Sequence, residues 1–123
     1  MGYYTDYSIT VENIRNEDEF ILISHHLKER SGYEFEMSEL PPLSDEETII
    51  AEFRLQEAKF YEYKEVFMFL SKKYPHVLFD VYGEGEESGD VWKHRFFGGA
   101  DERLQAKFTF PDFTLKLDKE DWI

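Results

Sequence analysis

The sequence predicts a single α+β domain in which an antiparallel sheet carries two helices on one face. Three observations lead there. Apolar residues recur at period two in several short runs, two longer runs switch to helical spacing, and glycine and proline punctuate the chain between them. A length of 123 residues suits one core rather than two.

Tyr3 to Glu12 sets Tyr7, Ile9 and Val11 against Asp6, Ser8, Thr10 and Glu12, the alternation of a half-buried first strand. Asn16 with Glu19 three positions on forms a capping-box-like pair, and Phe20, Ile23 and Leu27 then follow at helical spacing as far as Gly32. Tyr33, Phe35 and Met37 alternate again, giving a short second strand before the Leu40-Pro41-Pro42 break. The next segment carries two signals: Ser44 to Glu47 resembles a helix start, while Ala51, Phe53 and Leu55 alternate with Glu52, Arg54 and Gln56. The alternation is longer, so a third strand is expected. From about Tyr61 the stripe Tyr63, Val66, Phe67 and Leu70 predicts a second helix, with Lys72 and Lys73 suited to its C-terminal dipole and Pro75 ending it. Val77 to Tyr82 and Val91 to Phe97 read as strands joined by a turn over Gly83 to Asp90. Gly98-Gly99 makes a further turn, and Leu104 to Phe110 returns as a last strand before a tail that frays from about residue 114. Strand, helix, strand, strand, helix, strand is the order of a ferredoxin-like split βαβ, here with an added C-terminal hairpin.

Aromatic residues make up 18% of the chain, 12 Phe and 8 Tyr among them, enough ring surface to argue for a folded core despite the charge. No cysteine is present, which excludes disulfides, thiolate catalysis and Cys-based zinc sites. Met1 to Glu12 lacks the pattern of an export signal and no apolar run approaches the ~18 residues that span a bilayer, so a cytoplasmic protein without membrane contact is expected.

The formal charge is −13, which opposes direct binding to nucleic acid and favours a basic protein partner. Residues 1–57 carry a net −10 and residues 58–123 only −3. The excess is densest at Glu34, Glu36, Glu39, Asp45, Glu46, Glu47, Glu52 and Glu57, where Arg54 is the one cation. Those eight carboxylates are the first candidate partner-binding surface, against the plainer reading of a solvated, solubilising stretch. Glu84, Glu86, Glu87 and Asp90 in the glycine-rich loop form a second candidate. Oxygen-rich loops can hold calcium, but this one is too short and out of phase for a helix-loop-helix calcium site, so a solvated hairpin turn or a recognition loop is expected.

Chemistry finds little purchase. His25 and His26 are neighbours and point about 100° apart on a helix, unlike an i, i+4 metal pair. Neither Ser24 nor Ser88 sits on a strand-turn-helix elbow, and the carboxyls of Glu86 and Asp90 in a solvated loop are poorly placed for acid-base work. No metal and no cofactor is expected. The aromatic run from Phe60 to Phe69 lacks the basic funnel of a base-stacking platform and is assigned to the core, as are Trp92 and Phe96.

Lys59-Phe60-Tyr61, Leu70 to Phe79 and above all Gly83-Glu84-Gly85-Glu86-Glu87-Ser88-Gly89-Asp90-Val91-Trp92 resemble small bacteriophage and mobile-element proteins of the YubB-type ferredoxin-like group, over about residues 59–97. The opening Met-Gly-Tyr-Tyr-Thr is similar too. Phe60 stands where a tryptophan is usual, and the acidic stretch from Ser38 to Glu57 is outside the shared pattern. The resemblance implies a fold and a phage or prophage origin, with no catalytic residue to carry over. The expectation is an accessory protein that binds a basic, nucleic-acid-handling host protein, an acidic DNA mimic of the anti-CRISPR or anti-restriction kind. The alternative is a small structural or regulatory module that uses the Gly83 to Asp90 hairpin and a sheet edge.

Overall fold

The computed structural model describes residues 3–40 and 48–115. Its elements are β1 (Thr5–Ile14), α1 (Glu17–Ser31), β2 (Glu36–Leu40), β3 (Ile49–Ala58), α2 (Tyr63–Lys73), β4 (Leu78–Gly85), β5 (Val91–Phe97) and β6 (Ala100–Gln105). The six strands form one antiparallel sheet in the order β2-β3-β1-β4-β5-β6.

Period two decides which side of the sheet is dry. Tyr7, Ile9 and Val11 of β1, Ala51, Phe53 and Leu55 of β3, Phe79 and Val81 of β4, and Trp92 and Phe96 of β5 are all buried in one cluster. Ile23 and Leu27 of α1 and Val66, Phe67 and Leu70 of α2 join that cluster, so both helices lie on the same face. Aromatic rings fill the space between. Phe67 stacks on Phe96 at 5.8 Å, and Phe60 meets Tyr7, Tyr33, Phe35 and Phe67 within 6.3 Å, offset or edge-on as ring quadrupoles prefer.

Several expected boundaries move. β2 begins at Glu36 rather than Tyr33, because Tyr33 and Phe35 pack on the core from the connection before it. β3 extends to Ala58, and its last residues accommodate a bulge with Glu57 at φ 49°. That strand lies between β1 and β2, so part of the acidic stretch supplies an interior strand of the sheet. Gly83 to Gly85 belong to β4, not to the turn. The final strand runs over Ala100–Gln105 rather than Leu104 to Phe110, because β5 offers no partner beyond Val91, whose carbonyl accepts from the Ala106 N–H at 2.8 Å. Residues 106–115 follow without regular structure, so irregular chain starts earlier than residue 114. Among the described residues, no helix is long and apolar enough to cross a membrane.

Candidate functional site

The sheet face opposite the helices gathers the polar half of every alternating strand. Cross-strand partners have side chains on the same side, so the registers define two lateral rows. One row runs Glu36, Arg54, Ser8, Tyr82, Lys93, Leu104, and the next runs Ser38, Glu52, Thr10, Asp80, Arg95, Glu102. Asp6, Glu12 and Glu84 extend the face by the same period. A groove of about 580 Å³ lies along it, lined among others by Thr10, Glu12, Asp80, Lys93, Arg95 and Glu102.

Seven carboxylates therefore meet three cations on this surface. Two of those cations are already engaged. Arg95 donates to both oxygens of Asp80, at 2.7 and 3.1 Å, and Arg54 donates to Glu52 at 2.6 Å. The Arg54 bond, together with one from the Ser8 hydroxyl, holds the Glu52 carboxyl below its ordinary range. Glu12, Glu36, Glu84 and Glu102 have no such partner among the described residues.

The first candidate set is thus divided by the fold. Glu36 and Glu52 join the open face, whereas Glu39, one residue out of phase with them beside Ala51, points to the other side of the β2 edge. Glu34 pairs with Lys28 of α1 at 3.3 Å. Glu57 sits at the bulge, where its backbone N–H donates to Asp6 Oδ1 at 2.8 Å. Asp45, Glu46 and Glu47 lie outside the described residues. What the sequence does not display is that Glu12, Asp80, Glu84 and Glu102, scattered over ninety positions, share a surface with Glu36 and Glu52.

The second candidate set changes character as well. Tyr3 reaches across to the β4–β5 loop, where its hydroxyl donates to Asp90 Oδ2 at 2.6 Å and accepts from the Glu87 N–H at 3.0 Å. Hydrogen bonding to Asp90 pushes the Tyr3 hydroxyl up from its ordinary value. Glu86 accepts from the Tyr4 N–H at 2.7 Å. The turn is therefore tied to the N-terminal strand, and two of its four carboxylates are spent on that tie. Glu84 faces the open sheet and Glu87 points to solvent. Among the described residues no three His, Asp or Glu side chains converge in a way that could hold a metal ion.

On the helix side lies a polar cluster that motif reading overlooks. His94 is buried, accepting from the Tyr63 hydroxyl at Nδ1 (2.9 Å) and donating from Nε2 to Asp101 Oδ2 (2.7 Å). Asp101 fixes the ring tautomer, which is why Nδ1 is left to accept. The order hydroxyl, imidazole, carboxylate resembles a nucleophilic triad, but burial pushes the Tyr63 hydroxyl up, with Arg103 opposing, which disfavours a phenolate. Its geometry serves to tie α2 to β5 and β6. Sequence reading assigned Trp92 and Phe96 to the core and passed over His94, which lies between them in the same alternation.

No family model matches the chain, and no curated protein or solved structure matches it either.

Proposed function

We propose that the protein acts by binding, and that the open face of its sheet is the working surface. The partner is a basic, nucleic-acid-handling host protein, for which a rigid array of carboxylates stands in for phosphates. The observation that supports this is the surplus of acid on that face: strands about 4.8 Å apart carry Glu36, Glu12, Glu84 and Glu102 in fixed relative positions, with Arg54 and Arg95 already neutralised by neighbours. A groove built to displace counterions from DNA attracts such an array for the same reason. In this reading, supported by the ferredoxin-like order of the elements and the likeness of residues 59–97 to the YubB-type group, it works as a phage or prophage accessory protein, an anti-CRISPR or anti-restriction inhibitor in the bacterial cytoplasm.

The test is competition. At low salt the wild-type protein displaces duplex DNA from a target nuclease, and the variant E12K/E36K/E84K does not, while retaining the wild-type melting curve. Displacement by that variant equal to wild type would sink the proposal. The alternative module, recognising its partner through the Gly83 to Asp90 hairpin, is weaker because Asp90 and Glu86 hold Tyr3 and Tyr4.

A further inference from the structure

Among the described residues the β6 edge has an unused hydrogen-bonding ladder, and its sequence complements itself. Since the Ala106 N–H points at β5 and donates to the Val91 carbonyl, alternation turns the N–H and C=O groups of Asp101, Arg103 and Gln105 away from β5. No described strand meets them. Beyond Gln105 the sequence continues strand-like through Lys107-Phe108-Thr109-Phe110, yet β5 has ended and these residues lie exposed without a ladder. Around this edge Phe97, Leu104 and Phe108 are 50%, 60% and 68% exposed. At about 200 Å² for a fully exposed large side chain, that leaves on the order of 350 Å² of apolar surface in water per chain, nearly half of the roughly 800 Å² per partner in a standard interface. Exposed edges and patches of this size are what folded proteins otherwise avoid.

We infer that a second copy of this chain covers the edge, pairing β6 with β6 antiparallel about a twofold axis through Leu104. Such an axis, perpendicular to the sheet, keeps the helices of both copies on one side, so each residue meets one of like facing. Asp101 then stands opposite Lys107 of the second copy, Arg103 opposite Gln105, Glu102 opposite Ala106 and Ala100 opposite Phe108, with the two Leu104 side chains touching on the axis. Centring the pairing on Glu102 or Arg103 would instead set two like charges face to face. Asp101 suits its new neighbour, because His94 and Lys64 both approach Oδ2 and Oδ1 has no partner among the described residues. On the open face Phe97 and Phe108 of the second copy flank the small Ala100, which stands beside Phe97 in the register. Pairing over residues 100–108 supplies a partner for most of the strand expected over Leu104 to Phe110, which it lacks within one chain, and joins the two open faces into one twelve-stranded surface.

Sedimentation of the full chain at micromolar concentration should give twice the 14.8 kDa chain mass, and the dimer should persist at high salt because its axis is apolar. R103P removes an N–H that points outward and leaves the β5 ladder intact; it should sediment as a folded monomer, as should L104K. The chain has no cysteine, so L104C should form an intermolecular disulfide rapidly on mild oxidation, the closely spaced non-hydrogen-bonded pair bringing the two thiols together, whereas E102C should not. A wild-type monomer overturns the inference, as does a dimer that survives R103P and L104K, or one in which E102C cross-links in place of L104C. A wild-type monomer that still displaces DNA from its target would remove the dimer and leave the acidic face standing.

Discussion

Gly83 has no room for a side chain: a Cβ there would stand 2.2 Å from the Trp92 indole, its partner across the β4–β5 ladder. The neighbouring Gly85 would bring a Cβ to 2.2 Å from Asp90 Oδ2 and 2.3 Å from the Tyr3 hydroxyl. These glycines are therefore explained by close approach, and reading them as turn residues mistook the cause. Gly83→Ala should cost about 2–3 kcal/mol in chemical denaturation, since either the indole or β4 must shift, and an unchanged midpoint would remove this account of the loop. The carboxylates are equally specific. The hydrogen bond from His94 holds Asp101 below its ordinary 3.8, and Glu19 is below its ordinary 4.5 because bonds from His76 and the Arg15 N–H outweigh its burial. Both values are depressed in the fold, so the stability they provide is present above those ordinary values and drains as pH falls through and below them. A melting-temperature profile should show this acid-side loss shrinking in D101N; an identical profile would contradict the His94 cluster as drawn. That cluster is legible only in part: the alternation of Trp92 and Phe96 marks the position between them as inward, but Tyr63 and Asp101 come from other elements.

At the scale of elements, local chemistry was readable wherever it acts within a few residues. Asn16 caps α1 as its position suggested, its side chain accepting from the Glu19 N–H at 2.9 Å, while Glu19 reaches back to the Arg15 N–H. Asn16→Ala should lower stability by about 1 kcal/mol, measured by thermal or urea unfolding, and a loss below a few tenths would mean that Glu19 and His76 anchor the helix start unaided. The alternation of Ala51, Phe53 and Leu55 identified β3, and the Tyr63, Val66, Phe67 and Leu70 stripe identified α2. Periodicity failed at the far edge, where Leu104 to Phe110 has strand character and only its first residues find a neighbour. A pattern reports what a segment can pair with, and the length of β5 decides what it does pair with. Likewise the carboxylates near Glu34 to Glu57 are contiguous in sequence, yet period two sends Glu36 and Glu39 to opposite sides of β2.

Over the whole molecule, the net charge was visible in the composition, but its placement depends on strand order. The order β2-β3-β1-β4-β5-β6 brings residues 12, 36, 84 and 102 to one face, and no one-dimensional count of charge could do that. The helix side holds Lys28, Arg30, Lys72 and Lys73, so the molecule is polarised, acid on the sheet and partly neutralised over the helices. The claim that most needs a direct test is that this acidic face, and not charge in general, engages a basic protein. The measurement is salt-dependent binding of the isolated target to two proteins of matched net charge: E12K/E36K/E84K, and a variant reversed at Glu17, Asp18 and Glu29 on α1. Affinity of the wild type should fall steeply with salt, the face variant should lose binding at every salt concentration, and the helix variant should bind almost as the wild type does. Equal loss in both variants, or binding that ignores salt, would contradict that claim.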